Sequence, residues 1–182
     1  KIEWYEELVS WIKEHYPNIT VHGFSAVEIA YIAKASKISI TEVLQRLQAK
    51  GLFSIPGAGA EVLSDRVRDI IAPNKCHTAT WLEVHRQAHK IGMKSTATMM
   101  FGTVENDEEI IDHFEHLRKL QDETGGFRAF ILWSFQSDNT TLIQKHPEIM
   151  KQSSNKYLRL LALARLYLDN FKNLQSSWVT QG

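Results

Sequence analysis

The stretch SIPGAGAEVLSDRVR, residues 54–68, concentrates the groups most able to do chemistry. A short apolar run meets Pro56, Gly57 and Gly59, and then Glu61, Asp65, Arg66 and Arg68 follow where a helix can begin. Glycines at a strand end permit close backbone approach to a ligand, a carboxylate accepts hydroxyl or ammonium donors, and a guanidinium grips a carboxylate in a two-bond fork. GAGAEV lacks the third glycine of a dinucleotide fingerprint, and no Gly-Lys-Ser/Thr follows to make a phosphate loop. Two readings remain: a ligand-facing Glu61 with Arg66 or Arg68 beside it, or a capped turn with solvated charges.

Other polar clusters end apolar runs in the same way. His22, Phe24 and Ser25 close ITVHGFS; Thr98 and Met100 belong to TATMMFG; Trp133, Phe135 and Gln136 belong to ILWSFQ. His22 reads equally as a pocket residue or as a satisfied core histidine. Met99, Met100, Phe101, Trp133 and Phe135 fit barrel packing, yet Trp133 and Phe135 alternate with Ser134 and Gln136, a mixture that also suits a flat aromatic ligand. His85 and His89 are four residues apart on a helical pattern, but EVHRQAH lacks the metalloprotease glutamate and reads as structural. His113 and His116 read as the solvated side of an acidic helix, and Cys76-His77 is too small a set for a metal, so no metal ligands are assigned.

These groups must be positioned by the elements around them. Trp4, Leu8, Trp11 and Ile12 recur at helical spacing and predict a first helix that buries that face. A strand pattern follows, and the same order returns in TEVLQRLQAKG to LFSIPGAGA, ATWLEVHRQAHKIG to MKSTATMMFG, NDEEIIDHFEHLRKLQDETGG to FRAFILWSFQ, and KYLRLLALARLYLDNF to NLQSSWVTQG. Gly51, Gly92 and Gly125 close three helices, Thr41 and Asn106 are candidate N-caps, and residues 143–156 form one long irregular stretch. Strands separated by helices pair in parallel through right-handed crossovers, which predicts an α/β fold of five helix-strand units in a single domain, 1–182. Ligands of such sheets sit beyond the carboxyl ends of the strands, where the polar clusters fall.

The 182 residues carry 21 basic and 21 acidic side chains, a net charge of zero, with no basic block. Nucleic-acid binding is therefore not expected, and neither is a membrane span or leader, which points to a cytoplasmic protein. One cysteine permits no internal disulfide.

Taken together, HGFSAVEI, SIPGAGAEVLSDRVR, TATMMFGTVE, LQDETGGFRAFILWSFQSDNT and SWVTQG resemble the radical S-adenosylmethionine enzymes of the futalosine route to menaquinone, over almost the whole chain. Within that family, WSFQSDNT followed by SWVTQG is similar to the enzymes that cyclise dehypoxanthine futalosine. The resemblance implies the central part of a radical (β/α)8 TIM-type barrel, incomplete at both ends, with S-adenosylmethionine and a 4Fe-4S cluster as cofactors. It implies a 5'-deoxyadenosyl radical that takes hydrogen from the ribose of a nucleoside substrate, ring closure of the sugar radical, and a base for the final proton, for which His22 is the candidate. Glu61 would touch the adenosyl ribose or methionyl amine, Arg66 or Arg68 the methionyl carboxylate, and Phe24, Ser25, Thr98, Met100, Trp133, Phe135 and Gln136 the substrate. The family's cysteine triplet, C-x3-C-x2-C, is absent, as is its early glycine-glycine strand. Because such a barrel usually takes ~250 residues, the chain reads as its middle, expected to be inactive alone and to self-associate through open strand edges. The alternatives are a related radical enzyme, such as an aminofutalosine synthase, and a non-catalytic half-barrel that binds a nucleoside or a partner.

Overall fold

Strands β1 (Val21–His22), β2 (Leu52–Ile55), β3 (Lys94–Phe101), β4 (Phe127–Ser134) and β5 (Leu174–Ser176) pair in parallel in the order β1-β2-β3-β4-β5. A doubly wound sheet reverses its strand order partway, whereas a barrel keeps it sequential. Right-handed crossovers between successive strands then put every intervening helix on one face of the sheet. The fold is therefore the expected α/β half-barrel. It is seen in a computed structural model that describes residues 1–177; Trp178 to Gly182, most of the SWVTQG segment, lie outside the described residues.

Eight helices occur among the described residues: α1 (Ile2–His15), α2 (Ala26–Ser36), α3 (Ile40–Ala49), α4 (Asp65–Ile71), α5 (Thr78–Lys90), α6 (Asp107–Thr124), α7 (Thr141–Lys145) and α8 (Ser154–Tyr167). The five expected units are present, and α2, α4 and α7 are additions. Helix α2 starts where Ser25 donates both its amide and its hydroxyl to Glu28, at 2.7 and 2.8 Å, and it buries Ile29 and Ile32. Helices α7 and α8 take the two ends of the stretch expected to be irregular, leaving 146–153 without helix or strand. Gly51, Gly92 and Gly125 all have positive φ, as a helix-closing residue requires. Asn106 caps α6 as expected, accepting from the Glu109 amide at 2.9 Å. For α3 the cap is Ser39 and not Thr41, whose hydroxyl instead donates to Gln87.

The first helix is turned from its expected orientation. Ile2 and Val9 are buried, while Trp4 and Trp11 are 60% and 50% exposed. Two apolar stripes run along α1, and a fork from Arg46 of α3 to Glu6, at 2.9 and 2.7 Å, fixes the Ile2–Val9 stripe inward.

Alternation orders β3 along its length and β4 from Phe130 onward, after an irregularity that sets Ser95 opposite Phe127 but Ala97 opposite Phe130. On β3, Ala97, Met99 and Phe101 are buried toward the helices, and on β4 Phe130 and Leu132 join them. Thr96, Thr98, Met100, Ile131 and Trp133 point to the concave face and are half-buried. Behind β3, His85 and His89 make the structural contacts expected of them: both meet the Ser95 hydroxyl, at 2.9 and 2.8 Å, and His89 also meets Thr124. Burial holds His89 down at about 4 and His85 well below its ordinary value. His113 corrects the reading of a solvated face. It is fully buried, its Nδ1 accepts from the Leu63 amide at 2.9 Å, and burial pushes its pKa to about 3.

Candidate active site

After β2 the chain crosses the first half of β3 so closely that no side chain fits at Gly57: a Cβ there would lie 2.5 Å from the Thr96 carbonyl oxygen and 2.6 Å from the Ala97 Cα. Two threonines one pleat apart hold the crossing. The Gly57 amide donates to Thr96 Oγ1 at 2.9 Å, and Thr98 Oγ1 donates to the Gly57 carbonyl at 2.7 Å. This docking delivers Glu61 to the C-terminal end of β3, where its carbonyl accepts from the Met100 amide at 3.0 Å. Glu61 is 7% exposed and sits at φ +50°, a left-handed conformation that costs a residue with a side chain energy unless its surroundings enforce it.

The Glu61 side chain and Met100 line one cavity of about 310 Å³, together with Ile71, Pro73, Asn74 and Lys75. Met100 is paired in register with Trp133, so the two side chains leave the sheet on the same face, one strand apart. Phe135 extends the pairing, its amide donating to the Phe101 carbonyl at 2.8 Å. Gln136 folds back, its amide nitrogen donating to the Ser134 carbonyl at 3.1 Å. Glu61, Met100 and Trp133 thus form one rim, with Phe135 following Trp133 along it.

Other candidates stand elsewhere. His22 pairs in register with Ser54, and Ser54 with Lys94, which puts it level with the foot of β3. Six residues of strand separate that level from Met100, a span of about 20 Å. His22 faces a separate cavity with Thr96, Arg128 and Asn173, its Nδ1 2.7 Å from the Ser54 hydroxyl and its pKa lowered by burial. Phe24, at φ +59°, packs edge-on against Tyr5, and Ser25 is spent on capping α2.

Neither arginine is free to grip a ligand carboxylate. Arg68 is 1% exposed and donates to the backbone carbonyls of Gly59, Ala60 and Cys76. A buried guanidinium surrounded by carbonyl oxygens ties two loops together. Arg66 has its fork filled by Glu109, at 2.9 and 2.5 Å, and this partner holds the Glu109 carboxyl down at about 2. Glu109 also accepts from the Ser64 hydroxyl at 2.7 Å. One turn further along α6, His113 holds the Leu63 amide.

Lys75 and Glu109 went unmarked in the sequence, and His113 was assigned to a solvated face. Lys75 pairs with Glu61 from the α4–α5 connection, and Glu109 and His113 buttress the loop from behind. The spacing of Glu109 and His113, four apart on α6, was the available signal. Nothing around Lys75 in APNKCH marked it.

The sequence pattern of the Radical SAM superfamily matches residues 2–117, more than half of the chain. The chain belongs to the radical SAM superfamily. Residues 124–182 match the CofH/MqnC C-terminal region. A cyclic dehypoxanthine futalosine synthase of Streptomyces coelicolor is 42% identical over the whole chain and 44% of its own length. An aminodeoxyfutalosine synthase of Thermus thermophilus is 42% identical over 97% of the chain and 48% of its own. A 5-amino-6-(D-ribitylamino)uracil--L-tyrosine 4-hydroxyphenyl transferase of Methanoculleus marisnigri is 39% identical over the whole chain and 49% of its own. The chain spans about half the length of the curated relatives it matches. Among the described residues no helix is long and apolar enough to cross a membrane.

The superfamily implies S-adenosylmethionine and an iron-sulfur cluster. Glu61 fits the first, being a nearly buried carboxylate on a cavity wall with Met100 beside it. The second finds no ligand set: the sequence has one cysteine, and no three metal-binding side chains converge among the described residues.

Proposed function

We propose that this chain forms the nucleoside-binding half of a radical S-adenosylmethionine enzyme that cyclises dehypoxanthine futalosine to cyclic dehypoxanthine futalosine in menaquinone biosynthesis. When bound, S-adenosylmethionine supplies the radical chemistry of such enzymes. The chain's own residues bind and orient. The reading rests on one observation: Glu61, Met100 and Trp133 share a rim at the carboxyl ends of neighbouring strands.

Glu61 receives the hydroxyl or ammonium donors of the adenosyl cofactor, since a nearly desolvated carboxylate binds such donors more strongly than water does. Met100 and Trp133 present an apolar and a flat surface to the aromatic part of the substrate, with Phe135 extending that wall. Thr98 acts through Gly57 as a positioning residue.

Relatives with different printed reactions match at the same 42% identity, so identity does not separate cyclase from aminodeoxyfutalosine synthase. The WSFQSDNT sequence, residues 133–140, favours the cyclase. The test is an anoxic assay of the full-length protein, reconstituted with iron and sulfide, on dehypoxanthine futalosine. Formation of the cyclic isomer with 5'-deoxyadenosine is expected. Turnover of a different substrate class would replace the cyclase reading, and unaltered S-adenosylmethionine binding in Glu61→Gln would remove the assignment of Glu61.

A further inference from the structure

Lys75 reaches Glu61 across the cavity wall, its ammonium in direct contact with Oε1 of the carboxylate. The backbone carrying it is fixed on both sides. Arg68 holds the Cys76 carbonyl at 2.9 Å, Asp65 accepts from the Thr78 amide at 2.8 Å, and the Lys75 amide itself donates to the Ala72 carbonyl at 2.9 Å. Only the lysine side chain is left to move, and it is 37% exposed while its partner's is 9% exposed.

Two cavities meet at Lys75. One is the 310 Å³ space shared by Glu61 and Met100; the other, about 570 Å³, is bounded by Tyr5, Glu28, Tyr31 and Lys34. Asn74 and Lys75 line both. The ammonium therefore occupies the place on Glu61 that a donor group of an incoming ligand needs.

We propose that Lys75 is a displaceable counter-ion of Glu61: a positioning residue whose ammonium holds the carboxylate until the cationic part of the adenosyl ligand replaces it. This rests on the reading of Glu61 as a cofactor contact, and takes that contact to be the methionyl ammonium and not the ribose hydroxyls, which both probes below carry. A mounted cation that must leave opposes a cationic ligand and is indifferent to an uncharged nucleoside.

The test is calorimetric binding to the full-length protein under anoxic, non-reducing conditions, so that no turnover occurs. The probes are S-adenosylmethionine and 5'-methylthioadenosine, which lacks the amino-acid charges and the sulfonium. Lys75→Met is expected to tighten S-adenosylmethionine by about tenfold and to leave 5'-methylthioadenosine unchanged. Lys75→Arg, which keeps the pair, should bind like the native protein, and the gain should vanish in Glu61→Gln/Lys75→Met. Weaker or unchanged S-adenosylmethionine binding in Lys75→Met overturns the inference, as does an equal change for both probes, which would mean that the cavity had merely opened. If Glu61→Gln weakens S-adenosylmethionine while Lys75→Met does nothing, the counter-ion role alone falls. If Glu61→Gln has no effect, the reading beneath it falls too.

Discussion

The Met100 amide donates to the Glu61 carbonyl at 3.0 Å, so the residue proposed to meet the cofactor is hung on a strand by its backbone, independently of its side chain. Its left-handed φ of +50° favours glycine. Folding and binding can therefore be separated at this position. Glu61→Gly should hold or raise stability, by up to about 1 kcal/mol, while S-adenosylmethionine affinity falls at least about tenfold. Melting curves and calorimetry on one preparation check both halves; a variant that loses stability as well would show the side chain to be part of the folding energy.

Gly57 tests the crossing that aims Glu61. An added Cβ meets strand backbone, which cannot give way as a flexible side chain can. Gly57→Ala should cost more than about 2 kcal/mol in chemical denaturation. Gly23→Ala, with nothing within 4 Å of the new atom, is the matched control and should stay within about 0.5 kcal/mol.

Two tryptophans separate wall from core. Trp81 is fully buried on the helix side, and Trp133 is half-buried on the concave face. Trp81→Ala should destabilise by about 3–5 kcal/mol. Trp133→Ala should cost less than half of that and instead raise KM for the proposed nucleoside substrate about tenfold, read from steady-state kinetics of the full-length enzyme.

The fold was legible in the sequence. What made it so is the helix-then-strand order repeated five times; the two faces of β3 were not separated, because Met99, Met100 and Phe101 are alike apolar and only the pleat of the sheet turns Met100 away from its neighbours. Helix α1 was misjudged because Trp4, Leu8 and Trp11 form a stripe as apolar as Ile2 and Val9, and the choice between them is made by distant partners, Arg46 on Glu6 and Ser36 on the Ile2 amide. Arg68 invited a ligand role for the same kind of reason: composition reveals a guanidinium, but its burial among the Gly59, Ala60 and Cys76 carbonyls depends on two loops meeting. Lys75 belongs to that category, being a lysine in a connection whose importance comes from where the connection lands.

Acid should destabilise the fold through its buried histidines. His113 and His89 have folded pKa values of about 3 and about 4, below the ordinary 6.5. A depressed histidine pKa means that the unfolded chain binds the proton first. Stability from these groups is complete above pH 6.5 and declines as pH falls toward 4 and 3, by up to about 1.4 kcal/mol per pH unit for each. Glu109, held at about 2, adds a further loss below pH 4.5. Denaturant midpoints measured from pH 8 to pH 4 give the slope. His113→Asn, which can still accept from the Leu63 amide, should flatten it.

Glu109 and Arg66 make an unequal pair. Arg66 has a side chain 51% exposed, whereas Glu109 is 12% exposed and also serves Ser64 and the Asn106 cap. Arg66→Ala should cost less than about 1 kcal/mol. Glu109→Ala should cost about 2 kcal/mol, with the difference read by denaturation of the two variants side by side.

Arg68 gives the two connections around it a common fate. A guanidinium withdrawn from water is tolerable only while the carbonyls of residues 59 and 60 and that of residue 76 all surround it, so neither connection can open without stranding the charge. Amide hydrogens on both should exchange together, in a single cooperative event, and a mutation that loosens the segment carrying Lys75 will be felt at Glu61 even though 14 residues of chain separate them.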